Sequence, residues 1–137
     1  MNPAAQSQML LIGRILLGLL FLVAGIRKIM LYSGSVAYFT KLGFPAPEAM
    51  AVLAILIELG GASLLILGWQ TRRVSWLLVL FVIIATAMAH RFWEFDAAQY
   101  GNQLNHFLKN VAIIGGLLYV IVLGAGRLSL DERSATS

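Results

Sequence analysis

The chain has 137 residues, of which 60% are hydrophobic and 12% charged, with a mean hydropathy of +0.86. A soluble domain of this size needs a far more polar surface, so the composition specifies an integral membrane protein. The net charge of +4 does not point to nucleic acid, because the ten basic residues scatter among helix ends without a patch; the absence of cysteine excludes thiolate metal sites and disulfide relay chemistry.

A first apolar span is expected over residues 9–30. No basic segment precedes it, so it reads as a retained helix rather than a signal peptide. Arg14, Gly18, Phe21, Gly25 and Lys28 fall on one face at helical spacing. Arg27 and Lys28 fit interfacial snorkelling, whereas Arg14 lies deeper and either snorkels or turns toward another buried charge. Residues 31–47 are too polar to span. Ser33-Gly34-Ser35 offers a helix start, Val36 and Phe39 repeat at helical spacing, and Pro45 and Pro47 end the run. This predicts a short amphipathic helix at the interface, anchored by Tyr38 and Phe39.

The second span, residues 48–69, is nearly all apolar except for Glu58 at its middle. A carboxylate at that depth costs about 2.5–3.5 kcal/mol on insertion scales, so it requires a partner, a proton or water. Small residues (Ala51, Ala54, Gly61 and Ala62) share its face and admit a close neighbouring helix. Gln70-Thr71-Arg72-Arg73 makes a short connection to a third span over residues 74–91, closed by His90-Arg91-Phe92-Trp93. A polar loop is expected from Glu94 to Asn105, then a fourth span over residues 106–124, on which His106, Lys109, Asn110, Ile113 and Gly116 form a stripe.

The fold expected is therefore an all-α membrane protein: a four-transmembrane-helix bundle with a short amphipathic interfacial helix between spans one and two, residues 1–137 making a single domain. Four spans put both termini on one side. Arg72, Arg73, Arg127 and Arg133 lie there, against Arg27, Lys28, Lys41 and Arg91 opposite; setting Arg27 and Lys28 aside as site candidates leaves a weak preference for the cytoplasm. Lys28, His90, His106, Lys109 and Asn110 then gather at the other end. Glu58 and Lys109 differ in depth by roughly 10 Å of helix rise, which two extended side chains nearly span. The expected ion pair is Glu58 with Lys109, Arg14 being the competing partner.

Such a cluster suits the carbonyl oxygens of a quinone-like headgroup, with His or Glu handling protons. The same groups also serve membrane bundles simply to fix helix register. The His-to-His spacing matches no metal motif, and no catalytic residue can be assigned.

With these residues placed, the chain resembles the DoxX family over most of its length. The likeness is carried by Gly13-Arg14 with Phe21 to Gly25 and Lys28, by Leu42-Gly43-Phe44-Pro45, and by Glu58-Leu59-Gly60-Gly61 leading to Leu67-Gly68 and Thr71-Arg72. His90 with Phe92-Trp93, His106 to Asn110 with Gly115-Gly116, and Gly124-Ala125-Gly126 ahead of Ser129-Leu130-Asp131 extend it. The resemblance implies a bacterial inner-membrane bundle with cytoplasmic termini. Because relatives include the membrane subunit of a thiosulfate:quinone oxidoreductase, it also implies a quinone-linked or oxidative-stress redox setting.

The functional expectation is a small inner-membrane component of a redox system. Its ligand candidates are Glu58, His90, His106, Lys109 and Asn110, with Arg14 and Lys28 balancing charge and a quinone as the cofactor in view. The alternative is a non-enzymatic accessory or assembly subunit whose polar cluster is structural. Whether the chain is an enzyme stays open, as do its partners beyond the bilayer: redox proteins, other membrane proteins or a second copy.

Overall fold

The computed structural model describes residues 2–135, and its helices follow from local signals in the sequence. Helix α1 (Pro3–Met30) begins where Asn2 accepts a hydrogen bond from the Ala5 N–H at 2.8 Å and Pro3 supplies a preset φ. It therefore starts a turn and a half before the expected span. The short α2 (Tyr32–Lys41) follows after one residue and packs on α3 (Pro47–Leu67). Helix α3 ends at Gly68, whose φ of 70° closes the helix as its N–H and that of Trp69 bond back to Leu65 and Leu64. Helix α4 (Thr71–Ala89) returns, a single 3₁₀ turn covers Phe92–Glu94, and α5 (Ala97–Leu123) completes the bundle. A short α6 (Leu130–Ala135) closes the described chain.

The loop expected over residues 94–105 is largely helix. Asp96 caps it by accepting from the Gln99 N–H at 3.0 Å, and no proline follows to stop α5 from starting at Ala97. Polarity had marked this stretch as loop; the cap and the run of helix-compatible residues decide otherwise.

Among the described residues, four helices are long and apolar enough to cross a membrane: Pro3–Met30, Pro47–Leu67, the stretch Thr71–Glu94, and Ala97–Leu123. Leucines and isoleucines cover the outside, as lipid contact requires, while Phe21, Leu65, Leu78, Val82, Ile113 and Leu117 fill the centre. The helices associate as two close pairs, α1 with α3 and α4 with α5. The α3–α4 contact is thinner and that of α1 with α5 slight. Gly25 permits the first pairing. A Cβ there would lie 2.7 Å from the Leu59 side chain and 3.3 Å from the Cβ of Glu58.

The end of the bundle carrying the termini is held by two charged side chains. Arg14, only 1% exposed, donates to the carbonyls of Leu65 (3.2 Å), Ile66 (3.1 Å) and Leu128 (2.5 Å). A guanidinium suits that place, because the last turn of α3 has fewer backbone donors than carbonyls and carries the negative end of the helix dipole. Arg14 thus neither snorkels nor meets Glu58, which corrects both sequence readings of it. Its planar head occupies the space beside Gly68 that any larger residue would need.

Opposite it, the Asp131 carboxylate accepts from the backbone N–H groups of Gln70 (2.7 Å) and Thr71 (3.0 Å), and its own N–H donates to Gly68 O at 2.8 Å. The tail thereby supplies the N-terminal cap of α4 and holds Gln70 at a φ of 52°, unusual for a residue with a side chain. Burial pulls the Asp131 pKa upward, but the hydrogen bonds from Thr71 and Gln70 and the nearby Arg14 charge outweigh it. The carboxyl stays below its ordinary range.

Candidate functional site

At the end of the bundle away from the termini, Glu58 is 4% exposed and pairs with Lys28. The Lys28 Nζ donates to both carboxylate oxygens, at 2.8 and 2.9 Å. This corrects the expected Glu58–Lys109 pair. Depth alone had left Lys109 within reach; the close approach of α1 at Gly25, one turn from Lys28, brings the ammonium to Glu58 first. The Lys28 side chain keeps 27% exposure against 6% for Glu58, so the lysine is the partner that faces open space.

That space is a cavity of about 500 Å³. Phe21 and Ala24 of α1, Tyr38 and Phe39 of α2, Leu53 and Ile57 of α3, Phe81 and Met88 of α4 and Ile113 of α5 give it a mainly apolar wall. Lys28, Glu58, His90, Lys109 and Asn110 are the charged and polar residues that line it, beside Tyr38. Burial raises the Tyr38 pKa above its ordinary value, keeping the phenol protonated. Leu53, Leu77, Leu80 and Ile84 line the same cavity yet stand about half exposed on the outer surface of α3 and α4. The cavity therefore opens sideways, along the thin α3–α4 seam.

The histidines lie together. Their rings stack at 4.9 Å between centroids, inclined by 17°. His90 Nδ1 is 2.9 Å from Gln103 Oε1, and Lys109 Nζ is 3.4 Å from His106 Nδ1. An ammonium only donates, so that contact assigns Nδ1 of His106 as acceptor and leaves its ring proton on Nε2. Asn110 Nδ2 donates to Thr86 Oγ1 at 2.8 Å, and the Thr86 hydroxyl donates to Val82 O at 2.6 Å, tying α5 to α4.

Of the residues singled out from the sequence, Glu58, Lys28, His90, Lys109 and Asn110 reach the cavity. His106 stands behind it, against His90 and Lys109, and Arg14 sits at the opposite end of the bundle. The reading of the sequence missed Thr86 and Gln103 as hydrogen-bond partners. It also missed the part played by α2, whose Tyr38 and Phe39, with Phe44 set edge-on to Phe39 at 5.5 Å, wall one side. Aromatics before two prolines had been the available signal, but it was read as lipid anchoring alone.

No solved structure matches the chain. Inner membrane protein YphA of Escherichia coli (strain K12) is 35% identical over 130 residues, covering 95% of this chain and 93% of that protein. Inner membrane protein YqjF of the same organism is 34% identical over 122 residues, 89% of this chain and 88% of the relative. The ER-derived vesicles protein ERV29 of Saccharomyces cerevisiae is 29% identical over 132 residues, and the match covers 36% of its length. Together with four apolar helices, the bacterial relatives make the chain a multi-pass inner-membrane protein. The DoxX family profile matches residues 9–91, and the chain belongs to the DoxX family.

Proposed function

We propose that this chain binds a quinone or a similar apolar ligand in the lateral cavity, as a small inner-membrane component of a redox system with both termini in the cytoplasm. One observation carries the reading: a cavity of about 500 Å³, mainly apolar, with Lys28, Glu58, His90, Lys109 and Asn110 converging on it. Ligand sites have this construction, an apolar enclosure of roughly 300–1,000 Å³ with a few placed polar groups. Lys28, Lys109 and Asn110 would donate to headgroup oxygens. His90, backed by His106 and Gln103, is the group suited to exchange protons with the ligand. Glu58 would hold Lys28 in place. Arg14 would steady the far end of the bundle and take no part in binding.

The test is extraction of the protein purified in mild detergent, with identification of any bound quinone, followed by titration with a short-chain ubiquinone analogue. Saturable binding weakened by Asn110→Ala and by an obstruction of the cavity, Ala85→Phe, is the expected result. Binding that ignores the obstruction, or no binding, would overturn the reading. Reporter fusions to the C-terminus check the orientation.

A further inference from the structure

The groups in the cavity wall are unevenly matched. Its one carboxylate, Glu58, has both oxygens taken up by Lys28. An ammonium has three donors, so Lys28 retains one after serving the two carboxylate oxygens. Lys109 has no carboxylate within ion-pair distance among the described residues; the 3.4 Å approach to His106 is its one polar contact. Asn110 uses one amide proton on Thr86 and keeps another. Among the lysine and carboxylate groups of the wall, two cations, Lys28 and Lys109, face one anion. The wall thus holds an excess positive charge and spare donors beside apolar surface, with Lys109 itself exposed and open to a new partner.

We propose that the cavity selects an acidic amphiphile: an apolar chain or ring system whose headgroup carries a negatively charged oxygen, seated against Lys109 with Lys28 and Asn110 as further donors. A carboxylate lipid and a hydroxylated quinone share that chemistry. The proposal rests on the reading of the cavity as a ligand site and narrows its headgroup. Neutral ligands of equal apolar size would leave Lys109 without a counter-charge. Hydrogen bonds in which both partners are charged are the stronger ones, so the acid form gains over its neutral counterpart.

The experiment is equilibrium binding to the full chain in neutral-lipid nanodiscs, using two matched pairs of probes: hexadecanoate with its methyl ester, and an alkyl hydroxynaphthoquinone with its methyl ether. At least one acid should bind about tenfold or more tightly than its neutral partner, the scale of one charged hydrogen bond. Lys109→Gln should erase most of that preference, weakening the acids far more than the neutral probes, and Lys109→Arg should keep it. Which acid binds more tightly tells a lipid source from a quinone source. Equal binding of acid and neutral probes, blocked by Ala85→Phe, would overturn this proposal and leave the cavity reading standing. So would a preference that survives Lys109→Gln. Failure of all four probes to bind in a manner sensitive to Ala85→Phe would overturn both.

Discussion

Lys28 grips Glu58 with one ammonium on two oxygens, at 2.8 and 2.9 Å, and does so beside a glycine with no room for a methyl group. The charge pair and the close helix approach are one construction. Gly25 brings α1 onto α3, the approach covers Glu58 to 4% exposure, and coverage makes the lysine indispensable. Breaking such a pair leaves a charge without an answer in low dielectric, which costs about 3–5 kcal/mol, whereas removing both members together costs far less. Lys28→Met should therefore lower thermal stability in detergent more than the double variant Lys28→Met with Glu58→Met. A double variant no more stable than Lys28→Met would contradict the pairing.

Enlarging Gly25 tests the same contact from the backbone side. Its Cβ would have to displace Leu59, and overpacking of this kind costs about 1–3 kcal/mol. Gly25→Ala should destabilise the protein measurably. Gly13→Ala, where nothing lies within 4 Å of the added atom, should not. Comparing the two melting curves removes any general effect of losing a glycine from α1.

At the other end, Arg14→Met would remove a charged donor from three carbonyls at a position where the arginine is only 1% exposed. Loss of about 3 kcal/mol is expected, since hydrogen bonds to charged groups are individually worth about 1.5–3 kcal/mol. Arg14→Lys should recover only part, because an ammonium cannot fork toward α3 and Leu128 at once. Full recovery by lysine, read from thermal unfolding, would show that charge alone matters there.

Asp131 gives the stability an acid limb. Its pKa in the folded chain lies below the unfolded value of about 3.9, so the folded state favours the ionised form. The stabilisation is present in full above the unfolded pKa and drains away as pH falls through the folded one. Melting temperature followed from about pH 6 down to pH 2 should decline at the acid end, and Asp131→Asn should lower the neutral plateau and soften that decline. An unchanged profile in the variant would remove Asp131 as the cap of α4.

The sequence made some of this legible and hid the rest for physical reasons. The stripe of Arg14, Gly18, Phe21 and Gly25 marked the buried face of α1 because helical periodicity survives in a membrane bundle. The partner of Glu58 did not show, because depth along a helix says nothing about which neighbour approaches most closely; that depended on Gly25. Lys109 was misassigned for this reason, and it emerged facing the cavity instead. Arg14 found carbonyls rather than a carboxylate, a kind of partner that leaves no charged residue in the sequence to point to. The early start of α5 was missed because polar residues from Ala97 to Asn105 outweighed the cap at Asp96.

The seam between α3 and α4 sets how the cavity communicates with its surroundings. Its mouth is framed by Leu53, Leu77, Leu80 and Ile84, all on the outer surface of membrane-crossing helices. An occupant would arrive by diffusion within the leaflet, already partitioned into hydrocarbon, and would need no aqueous passage. Its occupancy would then follow its mole fraction in the bilayer, so that a change in membrane composition acts on this protein as directly as a change in solute concentration acts on a soluble receptor.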